Sequence, residues 1–302
     1  MPIVNVRHLT HYRYRRPVTF GEHRIMFRPQ ESYDQRVIES RLVIEPEPVE
    51  LRYVHDVFGN CVAVARFTGA ANSLTFESRV RLDHDPAPLA SDTADRIDAS
   101  AGGFPFAYDA EDMPDLLRSI ERQHADPDKT LQRWARSFLN PKGPTGVLEA
   151  LTAMTRSIHA DFDYAQRLYG PAQPPLETLN SRRGTCRDFA VLMMEAARAL
   201  GLAARFVSGY VYDSSGPFGP GRTGGGHTHA WVRVYLPSCG WVEFDPTNGI
   251  VGNTDLIRVA IVRDPRQATP LSGAYNGASE DFLGMDVEVD VEHSAIPVLK
   301  VA

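Results

Sequence analysis

Residues 181–201, SRRGTCRDFAVLMMEAARALG, predict a long helix that begins at a cysteine. Thr185 is a favoured N-cap residue, and Asp188, three positions later, completes a capping box with it. Gly201 is the matching stop signal at the other end. The charged residues between them fall on one narrow stripe, and apolar residues cover most of the circumference. We therefore predict a helix that is buried in its domain and begins at Cys186.

Cys186 would then be the first residue of this helix. Backbone N–H groups there lack helical partners and the helix dipole is positive, and both effects favour a thiolate. The alternative is a small buried hydrophobic residue, as many cysteines are. The position alone does not separate a reactive thiol from a structural one.

A hairpin downstream supplies the groups that a reactive thiol needs. Residues 227–247, HTHAWVRVYLPSCGWVEFDPT, predict two strands joined by a loop around Leu236–Gly240. With a loop of three or five residues, odd positions oppose odd positions, so that His229 lies opposite Asp245 or one diagonal step away. A thiol, an imidazole and a carboxylate that orients the imidazole support acyl transfer through a covalent intermediate. We assign Cys186 as nucleophile, His229 as general base and acid, and Asp245 as the residue that orients His229.

His227 allows a second interpretation of the hairpin. His227 and His229 lie on one strand face and, with Cys186 or Asp245, could hold zinc in a metal-dependent hydrolase. No second cysteine or acidic ligand stands at short spacing, so we expect no metal. His227 is assigned instead to the lining of the cleft, together with Trp231 and Arg187. The glycine-rich stretch 216–226 lacks a phosphate-binding pattern and is expected to form a flap beside the cleft.

The rest of the chain predicts an α+β fold. Residues 1–85 contain β-branched and aromatic runs with turns between them, which indicate an antiparallel β-sandwich. Residues 86–110 are rich in Ala, Ser, Asp, Pro and Gly and are interpreted as a linker. Residues 111–302 contain helices followed by antiparallel strands, including a last strand in MDVEVDVEH, and are interpreted as the catalytic domain.

Composition excludes several classes of protein. The 302 residues carry a formal net charge of −6, and no Lys/Arg block indicates nucleic-acid binding. No apolar run reaches the roughly 18 residues of a membrane span, and the N-terminus lacks the apolar segment of a signal peptide. Three widely spaced cysteines do not indicate a disulfide framework, so a cytoplasmic protein is expected. The expected partner is a peptide or protein substrate, and the oligomeric state is left open.

RGTCRDFAVLMMEAARALGLAARFVSGY and HAWVRVYLPSCGWVEFDPTNG closely resemble the bacterial transglutaminase-like proteins of the papain-like cysteine peptidase superfamily. HLTHYRYRRPV and the segments after it resemble the β-rich domain that precedes this core in many relatives. The resemblance implies a papain-like core, in which a helical bundle with the nucleophile helix packs on an antiparallel sheet. It implies the same triad of Cys186, His229 and Asp245, and no cofactor. Relatives often have an acidic residue at the position of Arg233, which shares a strand face with His229 and is expected to affect substrate charge preference.

A thiol-dependent enzyme that acts on amide bonds is the leading hypothesis, with peptidase or amidase activity preferred because water needs no acceptor site. Transfer of a glutamine acyl group to an amine is the alternative, and a non-catalytic binding protein that keeps the fold is a further one. The oxyanion hole would use the Cys186 backbone N–H and one side chain. Asn180, Gln166 and Tyr164 are the candidates for that side chain, and the sequence does not choose between them.

Overall fold

The computed structural model describes residues 3–86, 89, 93, 103–104, 107–167, 170–214 and 221–294. Most of the linker predicted for 86–110, and residues 216–220 of the predicted flap, lie outside these ranges. The helices are α1 (Met113–Ile120), α2 (Thr130–Arg136), α3 (Val147–Asp161), α4 (Pro175–Ser181) and α5 (Cys186–Ala199). In this part of the chain, no helix combines the length and the apolar character that a membrane crossing requires.

The strands alternate in sequence with these helices only in the middle of the chain. They are β1 (Ile3–Phe20), β2 (His23–Ile25), β3 (Gln35–Glu45), β4 (Glu50–His55), β5 (Cys61–Arg66), β6 (Ala70–His84), β7 (Asp163–Tyr164), β8 (Arg183–Gly184), β9 (Ala204–Val211), β10 (His229–Leu236), β11 (Gly240–Asp245), β12 (Ile250–Val251), β13 (Leu256–Val262), β14 (Leu271–Ser272), β15 (Tyr275–Asn276) and β16 (Phe282–Ser294). The predicted α+β class is confirmed.

Helix α5 is the centre of the second half of the chain. It packs on β9 and β10 of an antiparallel sheet with the strand order β12-β11-β10-β9-β13, while α2, α3 and α4 pack around its other sides. Phe189, Leu192 and Met193 on this helix are at most 2% exposed. The predicted buried helix is therefore confirmed, because an element that is apolar on most sides needs packing partners on most sides.

Both ends of α5 follow the predicted signals. The Asp188 carboxylate accepts hydrogen bonds from the Thr185 backbone N–H at 2.7 Å and from its hydroxyl at 2.9 Å. The helix ends at Ala199, and Gly201 adopts a φ of 87° in the left-handed region. The cap fixes the first turn, and with it the position of Cys186, at the edge of the core.

The first half of the chain, joined by the C-terminal strands β14, β15 and β16, forms two antiparallel sheets with a shared core. One has the order β15-β1-β6-β3 with β16 also paired to β1, and the other has the order β14-β2-β5-β4. Their facing side chains include Phe20, Ile25 and Phe76. Strand β16 pairs with β1 from Ile3–Ser294 to Tyr14–Phe282. The last strand of the predicted catalytic domain, residues 111–302, thus pairs with the first strand of the chain, a partner that alternation alone does not identify.

The two halves pack together along strand β1. Val4 and Val6 are buried against Tyr210 and Ile257 of β9 and β13. Further along β1 the two halves separate, and a cavity opens between them. The fold thus forms the walls of this cavity from both ends of the chain.

Candidate active site

Cys186 and His229 line one cavity with a volume of about 550 Å³. The cavity lies between the start of α5, strand β10 and the strands β1 and β16 of the first sheet. Such a volume is within the range of ordinary ligand pockets. The predicted nucleophile and the predicted base therefore share one enclosed space.

Cys186 is held at the first position of α5 because Gly184, just before the helix, packs closely against Asp188 and Phe189 of its first turn. A Cβ at Gly184 would lie 2.8 Å from the Asp188 Cβ and 3.3 Å from a ring carbon of Phe189, so only glycine fits there. The buried Asp188 carboxylate also accepts hydrogen bonds from the Arg167 guanidinium at 2.9 Å and from the Gln173 backbone N–H at 2.7 Å. The Gly-Thr-Cys sequence is therefore needed for the geometry of the helix start, and Cys186 is 6% exposed there.

The hairpin brings His229 and Asp245 together. Val232 pairs with Phe244 and Leu236 pairs with Gly240, so that Asp245 lies diagonal to His229, which is the second of the two predicted registers. The Nε2 of His229 lies 2.8 Å from the Oδ2 of Asp245, and both side chains are fully buried. The imidazole N–H therefore donates to the carboxylate, which fixes the orientation and the tautomer of the ring.

The charges of this pair are strongly coupled. Burial alone would lower the pKa of His229, but the Asp245 carboxylate and the Cys186 thiol raise it above its usual value. Burial likewise opposes ionisation of Asp245, but His229, the Asn248 amide and the Thr247 backbone N–H hold its pKa below the usual value. The geometry therefore favours an imidazolium beside a carboxylate.

The Nδ1 of His229 is the nitrogen left for the thiol. It is buried and makes no hydrogen bond of ordinary geometry to the described residues, although Cys186 is close enough to affect the pKa of the ring. Gly224 covers it, since a Cβ on this glycine would lie only 2.6 Å from Nδ1. The nitrogen is thus enclosed between the cavity and a glycine backbone.

Asn248 connects this glycine segment to the acid–base pair, and sequence reasoning missed it. Its Nδ2 donates to the Asp245 Oδ2 at 2.8 Å and to the Thr223 carbonyl at 3.1 Å, while its Oδ1 accepts from the Thr223 N–H at 2.8 Å. A signal was present, because Asn248 stands three residues after Asp245 in the same DPTNG segment. An amide there can satisfy a buried carboxylate and a loop backbone at once.

Two of the three oxyanion candidates line the cavity. Tyr164 and Gln166 are among its lining residues, and Tyr164 pairs in register with Gly184 through the short parallel strands β7 and β8. Burial, followed by the nearby Cys186, raises the pKa of Tyr164 to about 12, so its hydroxyl keeps its proton. Asn180 is exposed on α4 and is not among the residues that line the cavity.

Two of the three residues assigned to the cleft lining also line this cavity. His227 and Arg187 line the cavity, whereas Trp231 does not. The Trp231 ring is fully buried, stacks on His229 at a centroid distance of 5.9 Å and donates its indole N–H to Glu243 at 2.9 Å. Arg233 is also absent from the lining, and its Nε lies 3.7 Å from the Glu243 carboxylate.

The zinc alternative needs a cluster of ligands. Across the residues that the structure describes, no group of three or more His, Cys, Asp or Glu side chains is arranged to hold a metal ion. His229 and Asp245, two of the side chains considered as zinc ligands, are instead hydrogen-bonded to each other through the His229 Nε2.

Comparisons with known proteins agree with this geometry. Residues 132–246 match the model of the transglutaminase-like superfamily, and residues 4–83 match the bacterial transglutaminase-like N-terminal region. An uncharacterised protein of Mycobacterium tuberculosis is 32% identical over 299 residues, which cover 95% of this chain and 91% of the relative. An uncharacterised protein of Mycobacterium leprae is 26% identical over 286 residues, covering 95% of this chain and 98% of the relative.

A solved structure has the same overall fold. The crystal structure of a candidate cysteine protease from Cytophaga hutchinsonii superposes with a TM-score of 0.71 at 19% identity, covering 98% of this chain and 92% of the other. At 19% identity the similarity establishes the fold alone, and it covers the two N-terminal sheets as well as the core of helices and sheet.

Proposed function

Because the chain belongs to the transglutaminase-like superfamily, we propose that it is a thiol-dependent enzyme that cleaves amide bonds of peptides or proteins. One observation carries the proposal. His229, hydrogen-bonded to the buried Asp245 at 2.8 Å, lines the same cavity as a cysteine at a helix N-terminus. These are the groups that covalent acyl transfer uses in the roles of nucleophile, acid–base and orienting residue.

The first half of the reaction forms a thioester. The Cys186 thiolate attacks the carbonyl carbon of the amide, and the carbonyl oxygen becomes an oxyanion. The imidazolium of His229 then gives its proton to the leaving nitrogen as the C–N bond breaks. Asp245 stays ionised throughout and holds the ring by its Nε2, which leaves Nδ1 for the exchange of protons.

The second half releases the acyl group. The neutral imidazole takes a proton from the incoming nucleophile, which attacks the thioester carbonyl, and the thiolate leaves. With water as nucleophile the product is a carboxylic acid, and with an amine it is a new amide. We favour water because it requires no acceptor site, and amine transfer is the second candidate.

Tyr164 is the side chain that we assign to the oxyanion. The Cys186 backbone N–H at the start of α5 would supply the other hydrogen bond. Tyr164 lines the cavity, its ring packs against Phe189 of the nucleophile helix at 6.5 Å, and its raised pKa of about 12 keeps the O–H available as a donor. Gln166 lines the same cavity and is the second candidate for this role.

Mass spectrometry of a peptide mixture incubated with the protein, with and without added primary amines, tests the function. We expect cleaved peptides that are absent with Cys186→Ala, whereas amine adducts or cross-links would identify transfer. Activity that survives Cys186→Ala would remove the mechanism. A fully folded Cys186→Ala variant, judged by circular dichroism, is the control.

The non-catalytic alternative has its own measurement. Burial raises the pKa of the Cys61 thiol, so Cys61 should alkylate slowly with iodoacetamide at pH 6. In the proposed mechanism Cys186 is the nucleophile beside His229, and we expect Cys186 to alkylate faster than Cys61 in the same sample. Equal rates at the two sites would support a binding protein without thiol chemistry.

A further inference from the structure

The far wall of the cavity belongs to the first sheet. From Val4 to Tyr12, strand β1 turns its even-numbered residues toward the second half of the chain, and the character of these residues changes along the strand. Val4 and Val6 are packed into the core, whereas His8, Thr10 and Tyr12 line the cavity. The change occurs where β1 leaves the packed interface and reaches the space beside Cys186.

The wall of this part of the cavity is apolar. The chain supplies it from β9, from the residues just after β2, from the segment around β14 and from β16. Its apolar members are Phe27, Phe206, Ala268, Leu271, Met285 and Val287. Removing apolar surface from water is favourable, so these walls favour burial of a hydrocarbon side chain.

The polar groups that strand β1 contributes to this wall carry no charge. Burial lowers the pKa of His8 to about 3, so that its ring is neutral at physiological pH. Its Nδ1 lies 3.0 Å from the Tyr210 hydroxyl and its Nε2 lies 3.3 Å from the Thr10 hydroxyl, so both nitrogens already have partners. No Asp or Glu stands among the described residues that line the cavity. A cationic side chain would therefore find no carboxylate there.

The charges that do line the cavity are all positive. Arg167 pairs with Asp188 at 2.9 Å and Arg266 pairs with Asp264 at 2.6 Å. The Arg187 guanidinium instead donates to the carbonyls of Gly170 and Arg167, both at 2.8 Å, and forms no ion pair within the described residues. This uncompensated charge, next to Cys186 in the chain, disfavours a second cation in the cleft.

We propose that the space between Cys186 and the β1–β16 wall is a specificity pocket that takes an uncharged, apolar side chain adjacent to the scissile amide. The first sheet thereby supplies one side of the substrate site, and lysine and arginine side chains are excluded from it. This inference rests on the proposed function, because it assigns a substrate class to the same thiol.

Affinity labelling of the intact protein tests the pocket without a known substrate. The probes are acetyl-Xaa-Gly and acetyl-Gly-Xaa chloromethyl ketones, in which Xaa is Leu, Glu or Lys, and their rates of attachment to Cys186 are followed by mass spectrometry. Each rate is divided by the rate with iodoacetamide, which corrects for the reactivity of the thiol. We expect Leu to react at least about 10-fold faster than Lys in one of the two positions, because pockets discriminate by this order of magnitude.

Val287→Asp places a carboxylate in the proposed pocket and should reverse the order of Leu and Lys. Val291→Asp is the matched control, since Val291 lies on the same face of β16, opposite Val6, but outside the cavity. If either aspartate variant fails to fold, Val287→Thr and Val291→Thr replace them. Val287→Thr keeps the shape, and we expect the Leu preference to fall by about fourfold, as for one buried methyl group.

The outcomes separate the two proposals. A Cys186 that reacts no faster than Cys61 with every reagent overturns the proposed function and the pocket with it. A reactive Cys186 that accepts Lys as readily as Leu overturns the pocket and leaves the function standing. A Leu preference that Val287→Asp does not change also overturns the pocket, because the selectivity would then arise elsewhere.

Discussion

Gly224→Ala is the substitution that most directly tests the enclosure of His229. Gly224 belongs to the glycine-rich stretch, which is expected to form a flap, and its backbone lies against the Nδ1 of the imidazole. An alanine Cβ built on this glycine would lie 2.6 Å from Nδ1 and 3.3 Å from Cε1. Either the ring or the segment must move by several tenths of an ångström, since ordinary contacts begin near 3.4 Å.

Two separable costs follow from this geometry. The φ of Gly224 is +92°, and an L-residue held in such a conformation costs about 1–3 kcal/mol of stability. The ring cannot follow the Cβ without lengthening its 2.8 Å bond to Asp245 or changing its distance to Cys186. Because displacements of about 1 Å in reacting groups can cost about 10²-fold in rate, we expect kcat/KM to fall by about 10²-fold.

Gly226→Ala provides the matched control. Gly226 has a φ of +83°, close to that of Gly224, but a Cβ there would meet no atom within 4 Å. Both variants should therefore lose a similar free energy of unfolding, measured by urea denaturation. Only Gly224→Ala should lose activity in the peptide assay and slow the alkylation of Cys186 at pH 6.

The comparison has a definite refutation. If the two variants lose activity equally, backbone strain in the segment is sufficient and contact with the imidazole plays no part. If Gly224→Ala retains full activity, Nδ1 is not the nitrogen that exchanges protons with the thiol, and the assigned geometry is wrong.

Four further substitutions address the oxyanion, the orienting amide and the first sheet. Tyr164→Phe should lower kcat/KM by about 10²-fold, whereas Gln166→Ala should change it little, and the opposite ranking would exchange their roles. Asn248→Ala removes a hydrogen bond that lowers the pKa of Asp245. We therefore expect a lower kcat and a shift of the acid limb of the pH–rate profile to higher pH. An acid limb that does not move would contradict this coupling. In the unfolded chain His8 binds a proton below about pH 6.5, whereas in the folded protein it stays neutral down to about pH 3. The free energy of unfolding should therefore fall on acidification between these two values, by up to about 1.4 kcal/mol per pH unit. His8→Gln should make that decline shallower in urea unfolding between pH 7 and pH 4.5, and an unchanged decline would show that His8 does not contribute.

The pairing of His229 with Asp245 could be predicted because hairpin geometry is local. A loop of odd length forces odd residues to face odd residues, so only two registers were open, and the observed one has Leu236 opposite Gly240. The start of α5 was equally local, since Thr185 and Asp188 cap it within four residues. Both features depend on contacts between neighbours along the chain.

The oxyanion side chain could not be chosen by such rules. Tyr164 and Asn180 both precede Cys186 in the sequence, and both side chains can donate a hydrogen bond. The short pairing of β7 with β8 turns Tyr164 toward the thiol, while the surface of α4 turns Asn180 away from it. Two paired residues in each strand are too short a signal for periodicity to detect.

The role of the first sheet shows the same limit at longer range, although its signal is visible in the sequence. Every second residue of β1 from Val4 to Tyr12 reads as one buried face, yet the face changes from valine to histidine, threonine and tyrosine after Val6. A strand that only packed against another sheet would have no reason to bury polar groups, because each then needs a hydrogen-bond partner. His8 has its partners in the hydroxyls of Tyr210 and Thr10. Strand β16, which begins at Phe282 near the other end of the chain, borders a cavity at this point. Polar residues at the end of an otherwise apolar strand face are therefore better explained by a ligand site than by packing, and the labelling of Cys186 decides between these explanations.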